Sequence, residues 1–379
     1  MKTKFLFVLM LTPMLVGCGK EEQPTQPGML QNRVYTINDL GYIPETVYNY
    51  HRVICLGAGA LRYYSYIGDL NKLIAVENID SGTTFGVGQA IRPYYDANKA
   101  HFASLASAGV GGPANQFPDM ETLIMLEPDL VVSFYDNSKG YNDEMVDKLE
   151  CPVISLSQGM DGVFDDTTMA SFLLLGKVFN RTDRATSLIN YINNQKFILS
   201  SLQMSAETYY AGCIGNWGKT NLYGSYKGFP VFKYAKVTNV VDSLTELVDN
   251  KQVVVTKEQL IELNPDKIFI DSSGAGNFLA DYKNDKSSYT VLDAIENKET
   301  YALMPYNAYY TNLEVQLMST YYVASIAHKD DDLFKNMNMN EKFDEILSAF
   351  VNKKIYSELC SRSDSLGGYN KIDLDELVE

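Results

Sequence analysis

Histidine is scarce in this chain of 379 residues, which has only His51, His101 and His328. That leaves little material for Ser-His or Cys-His catalysis and none for a His-based metal cluster. The five cysteines show no C-x-x-C spacing, so a zinc ligand set cannot be written. Three of Cys55, Cys151, Cys213 and Cys360 lie in or beside apolar strand-like runs, where a buried free thiol is expected. A disulfide stays open in an exported chain. Positive charge is also short, at 32 Lys+Arg against 47 Asp+Glu and a net charge of −15. Nucleic acid is thereby excluded as a partner, because phosphate binding needs clustered Lys and Arg. No G-x-S-x-G elbow, H-E-x-x-H or P-loop is present. Tryptophan is almost missing, with Trp217 alone, yet there are 27 tyrosines. Tyrosine pairs an apolar body with a polar tip and lines wet recognition surfaces, so the composition points to a binder. With 46% hydrophobic residues the chain can bury a sizeable core, and its length suits two domains or one large one.

Residues 1–17 read as an export signal. Lys2 and Lys4 precede an apolar stretch from Phe5 to Val16. That stretch is too short for a membrane span, which takes about 20 apolar residues. It ends in Leu15-Val16-Gly17-Cys18, which resembles the lipobox of bacterial lipoproteins. The resemblance implies lipidation of Cys18 and a membrane attachment through that anchor only. The polar, Pro-containing stretch that follows suits a tether, so residues 18–45 are read as flexible tether and lead-in.

Beyond it, apolar strand-like runs alternate with longer periodic segments, the α/β pattern. Strands are expected at Arg52–Leu56, Leu73–Glu77, Asp129–Phe134 and Pro152–Leu156, then at Tyr209–Ile214, Lys267–Asp271 and Thr300–Met304. Helices are expected near Leu61–Ile67, Asp119–Leu126, Lys257–Leu263, Leu313–His328 and Glu341–Cys360. One internal echo stands out. D-M-E-T-L-I-M-L-E-P-D-L-V-V at 119–132 aligns with T-K-E-Q-L-I-E-L-N-P-D-K-I-F at 256–269, matching Glu121 to Glu258, Leu123 to Leu260 and Pro128-Asp129 to Pro265-Asp266. Each copy reads as a short amphipathic helix, a Pro turn and a buried strand, which suggests two similarly built lobes. These are an N-terminal lobe over 46–165 and a C-terminal lobe over 207–379. Residues 166–206 form a helical bridge, with Thr182 or Asp183 as the N-cap of a second helix running to about Leu202. A rod of that length holds the lobes in a nearly fixed relation.

Gly57-Ala58-Gly59 after the first strand, with Glu77 twenty residues beyond, looks like the start of a dinucleotide fingerprint. Arg62 replaces the third glycine, and nicotinamide cofactors are not supplied outside the cytoplasm. A Gly-rich turn is therefore the better reading, and an exported enzyme a distant alternative. Ligands of open α/β sheets bind beyond the carboxyl ends of the strands. That rule selects Arg62 and Tyr63, then Arg92, Tyr94 and Tyr95, then Tyr135 in the first lobe. In the second lobe it selects Trp217, Lys219, Tyr223 and Tyr226, then Tyr306, Tyr309 and Tyr310. Together with Lys227 they predict an aromatic cleft with basic points, suited to a bulky, partly anionic ligand.

Lipobox, strand–Gly-x-Gly opening, the two P-D stretches and the Pro305-Tyr306-Asn307-Ala308-Tyr309-Tyr310-Thr311-Asn312 segment together resemble the iron-complex and vitamin B12 class of ABC-transporter substrate-binding proteins. The similarity covers about residues 50–370. It implies two Rossmann-like lobes bridged by a single long helix, the class III periplasmic-binding-protein architecture, and a monomer without catalysis or cofactor. It further implies a metal chelate held between the lobes, a ferric siderophore or alternatively cobalamin or heme. The partner implied is an ABC permease with its ATPase, which Glu121 and Glu258 would dock by their matching places in the two P-D stretches. The location implied is extracytoplasmic, on a bacterial membrane.

Overall fold

The computed structural model describes residues 28–44, 46–82, 90–111, 119–215, 220–249 and 251–378. Cys18, Trp217 and Lys219 lie outside these described residues.

Two parallel sheets form the frame. In the first, β1 (Val34–Tyr35), β2 (Val53–Leu56), β3 (Leu73–Val76), β4 (Ala106–Ser107), β5 (Leu130–Ser133) and β6 (Val153–Ser155) pair in the order β1-β6-β5-β2-β3-β4. Every pairing is parallel. Strands β2 and β5 are buried at every residue, which is why they read as unbroken apolar runs rather than alternating ones. The lead-in is not all tether, because Val34–Tyr35 pairs with β6 as the sheet's edge.

The second lobe holds β7 (Thr208–Gly212), β8 (Gly224–Lys227), β9 (Thr238–Asn239), β10 (Lys251–Val254), β11 (Lys267–Asp271) and β12 (Thr300–Leu303). Four of these make a parallel sheet in the order β12-β11-β7-β9, and β8 with β10 makes a separate antiparallel pair.

The sequence echo has a structural cause. Helices Met120–Leu126 and Lys257–Leu263 bury Leu123 and Leu260 and end on left-handed residues, Glu127 and Asn264. The proline that follows cannot extend a helix. The aspartate after it caps the neighbouring strand. Asp129 accepts the backbone N–H groups of His51 and Arg52 at 2.7 and 2.9 Å, and Asp266 accepts that of Thr208 at 2.7 Å. Each P-D pair thus ends a helix and fixes where the next strand of its sheet begins.

Between the sheets run helices Asp166–Val178 and Thr182–Ser200. At 1.5 Å per residue the 19-residue second helix is about 28 Å long. Its N-cap is Arg181 with no side-chain cap, not Thr182 or Asp183. The corner is fixed one residue earlier. Asn180 takes a φ of 57° and its amide bonds both backbone groups of Tyr48.

One apolar core runs through both lobes and the bridge. It joins Tyr63 and Phe172 to Leu188 and Ile192, and these to Phe269, Tyr321 and Phe350. Spreading the lobes would expose that core, so the lobes are rigidly coupled. The expected helix Glu341–Cys360 is broken into Met339–Val351 and Tyr356–Cys360, because Asn352 adopts a left-handed φ of 57°. The broken segment returns to the first lobe, where Lys99 pairs with Glu358 at 2.8 Å and Arg362 with Asp96 at 2.7 Å. The C-terminal region therefore contributes to both lobes.

Candidate functional site

The seam between the lobes is organised around the Tyr306–Asn312 loop, which follows β12. Arg62, on the Ala60–Ile67 helix of the first lobe, reaches across to it. Its two terminal nitrogens donate to the carbonyls of Ala308 (2.6 Å), Tyr309 (3.1 Å) and Thr311 (2.8 Å) and to Asn312 Oδ1 (2.8 Å). Asn312 Nδ2 donates to the carbonyls of Ile91 and Pro305 at 3.0 and 2.8 Å. Tyr66 donates to the buried Glu314 carboxylate.

Two buried carboxylates hold the same loop, one from each lobe. Glu77 follows β3 and accepts the Tyr309 hydroxyl at 2.5 Å and the Gly57 N–H at 3.1 Å. Burial raises its pKa from 4.5 to about 7. Asp271 ends β11 and accepts the Tyr306 N–H at 2.7 Å, and burial raises its pKa from 3.8 to about 6.

The dinucleotide-like turn is accounted for in the same way. Gly57 and Gly59 sit at φ of 87° and 104°, where a Cβ is disfavoured. The Gly57 N–H that would face a pyrophosphate is spent on Glu77, whose own ionisation would repel one. The first-lobe turn therefore serves the seam.

The cationic points expected in the cleft are corrected by these contacts. Arg62 and Arg92 have no exposed surface. Arg62 is committed to the opposite loop. Arg92 pairs with Asp80 at 3.0 Å and stacks over Tyr95. Lys227 donates to the carbonyls of Leu244 and Leu247 and pairs with Asp249. An unpaired guanidinium cannot be left in an apolar interior, so each has drawn in its own acceptors.

Several of the expected tyrosines also lie elsewhere. Tyr94 is buried against Asp80, in the first turn of helix Pro93–Phe102 with Tyr95 beside it. Tyr135 packs edge-on against Tyr141 in the core on the far side of the first sheet. Tyr223 stacks on Tyr289 in the outer core of the second lobe.

What converges is a smaller aromatic group. Phe134, directly after β5, has its ring 5.0 Å from Tyr63 and 5.1 Å from Tyr310. Tyr63 donates to Gln158 at 3.1 Å. On the second lobe Tyr306 meets Tyr226 at 5.7 Å and Phe229 at 4.9 Å. The phenol of Tyr310 is close enough to raise the pKa values of Tyr63, Tyr226 and Tyr306, behind the larger effect of burial. Among Tyr63, Tyr226, Tyr306, Tyr310 and Phe134, only Tyr310 is exposed, at 42%. Beside this group Asp161 is held by Lys233 at 2.6 Å and Tyr234 at 2.9 Å, and Gln316 bonds the Asp161 carbonyl and the Val163 N–H. Phe134 and Asp161 were absent from the expected set, whereas Tyr226 was in it. Phe134 directly follows β5, so the strand-end rule points to it as readily as to a tyrosine.

Glu121 and Glu258 are both exposed, on the two matching helices. His101 and His328 meet the backbone carbonyls of Leu70 and Ala235. Among the described residues no group of three or more His, Cys, Asp or Glu side chains could hold a metal ion, and no helix is long and apolar enough to cross a membrane. The four cysteines described are free thiols, three of them buried.

No protein-family model matches the sequence, and none of the curated proteins matches it. Solved structures do match the fold. The Haemophilus influenzae molybdate periplasmic binding protein MolA, bound to molybdate, aligns over 82% of this chain and 94% of its own, with a TM-score of 0.60 and 16% identity. The TroA-like periplasmic binding protein FepB of Veillonella parvula aligns over 80% and 92%, with a TM-score of 0.58 and 15% identity. Helicobacter pylori CeuE with Ni(II) bound aligns over 80% and 91%, with a TM-score of 0.56 and 14% identity. With its two parallel-sheet lobes and the helix between them, the chain has the class III periplasmic-binding-protein fold.

Proposed function

We propose that the protein is an extracytoplasmic solute-binding lipoprotein, anchored through Cys18, that captures an iron chelate between its lobes and delivers it to an ABC permease with its ATPase. The observation that carries this reading is the meeting of Tyr310 from one lobe with Phe134 and Tyr63 from the other, on a frame too tightly cored to hinge widely. Among the structural neighbours, CeuE with Ni(II) and MolA with molybdate are in keeping with a metal-containing ligand. With Arg62, Arg92 and Lys227 committed internally, the case for the chelate rests on aromatic surface and no longer on an anionic ligand meeting free cations.

Of the expected set we retain Tyr310 as ligand-facing, with Tyr63, Tyr226 and Tyr306 as the aromatic surround behind it and Phe134 added. Titration calorimetry with ferric siderophores tests the reading. Saturable binding is expected, and a response only to cobalamin or heme would replace it with the same scaffold serving another ligand.

Glu121 and Glu258 are proposed as the permease contacts. Each stands in the first turn of its helix with an exposed isoleucine one turn on, Ile124 and Ile261. The double change Glu121→Ala, Glu258→Ala is expected to leave ligand affinity intact and stop uptake. Unchanged uptake in whole cells refutes the docking role.

A further inference from the structure

Tyr309 and Tyr310 are consecutive residues with φ of 49° and 79°. That is left-handed backbone, which side chains bearing a Cβ disfavour. Such a conformation persists only where its surroundings over-determine it. Here they do. Arg62 binds the carbonyls of Ala308, Tyr309 and Thr311, Glu77 holds the Tyr309 hydroxyl, and Asp271 holds the N–H of Tyr306. The clasp buries Tyr309 and turns the next ring the other way. Tyr310 stands against Phe134, over Gly59, where even a Cβ on the glycine would lie 3.5 Å from it. Among the described residues its hydroxyl makes no hydrogen bond, while its neighbours Tyr63, Tyr309 and Tyr306 are buried. The nearby cations Arg62 and Lys233 are already bound to protein acceptors.

We propose that Tyr310 is the specificity-determining contact of the cleft, and that it selects metal chelates carrying an aromatic face by stacking, over aliphatic chelates and compact oxyanions. This rests on the solute-binding reading above. Aromatic pairs favour offset or edge-on contact at the ring separations found here, and Phe134 already sets the angle at which a further ring can join. The strained corner keeps the Tyr310 ring in place before the ligand arrives, so little ordering is left for binding to accomplish.

The test is calorimetry on the full purified protein with three probes: a ferric tris-catecholate, an aliphatic ferric trihydroxamate and sodium molybdate. Wild type is expected to bind the catecholate at least tenfold more tightly than either other probe. Tyr310→Ala is expected to erase that preference, and Tyr310→Phe to keep it within threefold. Tyr310→Gly is expected to match the alanine variant in affinity but to melt at a higher temperature, because glycine relieves the left-handed strain. A preference that survives Tyr310→Ala, or equal wild-type affinity for the trihydroxamate or molybdate, overturns the proposal and leaves solute binding standing. Failure of both iron chelates to bind overturns the chelate reading and this proposal with it.

Discussion

Replacing Glu77 by glutamine should change how stability depends on pH, and the size of the change follows from its burial. In the folded protein the Glu77 carboxyl titrates near 7, raised from 4.5 chiefly by burial and opposed by the Tyr309 hydroxyl. A carboxyl with a raised folded pKa binds its proton more tightly when folded than when unfolded. Its contribution is therefore complete below about pH 4.5 and is lost as pH rises through 7. At 1.36 kcal/mol per pH decade the loss comes to about 3 kcal/mol. That is a large part of a total stability of roughly 5–15 kcal/mol. Glu77→Gln has the same shape, accepts the Gly57 N–H and can donate to the Tyr309 oxygen, but it does not ionise. Urea denaturation of both proteins from pH 4.5 to 8 reads the difference directly, because the other groups, Asp271 among them, titrate in both. The two should be nearly equal at pH 4.5, with the variant about 3 kcal/mol more stable at pH 8. A difference constant to within about 0.5 kcal/mol over that range would falsify the assignment of Glu77 as a buried carboxyl at the seam.

Two further outcomes follow from the contacts. Arg62→Met keeps most of the side-chain volume but leaves the carbonyls of Ala308, Tyr309 and Thr311 and the Asn312 amide oxygen without their donor. Stripping a buried charged partner in this way costs about 3–5 kcal/mol, read as a lower urea midpoint, and a loss below about 1 kcal/mol contradicts the clasp. Cys55, Cys151 and Cys213 are buried thiols whose pKa values burial raises, that of Cys151 to about 12. A thiol reagent should therefore react with Cys360 in the native protein and with the other three only on unfolding, and rapid native reaction of all four refutes their placement.

The strand ladder was legible in the sequence because parallel strands buried on both faces are largely apolar, as Val53–Leu56 and residues 130–132 are. The P-D echo was legible because its aspartate and proline do the same two jobs in each lobe. Helix Pro93–Phe102 has no counterpart among the expected helices. Its proline stands at the first helical position, where it loses nothing, since that N–H has no partner in any helix. The break at Asn352 was missed because a left-handed residue leaves little trace in an otherwise helical apolar pattern. The loop bearing Tyr306, Tyr309 and Tyr310 is legible in the sequence, but the direction of each side chain is not. Of three tyrosines within five residues, Tyr306 packs on Phe229, Tyr309 bonds the Glu77 carboxylate and Tyr310 stays exposed.

Composition, periodicity and the repeated stretch by themselves determined the two-lobe α/β architecture and the helical segment between the lobes. These depend on local patterns of burial, and every residue carries part of that pattern in its own polarity. The tertiary structure alone decided what the charges do. An arginine at a strand end is equally consistent with an open anion site and with a buried tie. The choice depends on whether carbonyls from distant sequence lie within about 3 Å of it. For Arg62 those carbonyls come from the other lobe, and they turn an expected ligand contact into the clasp that sets Tyr310.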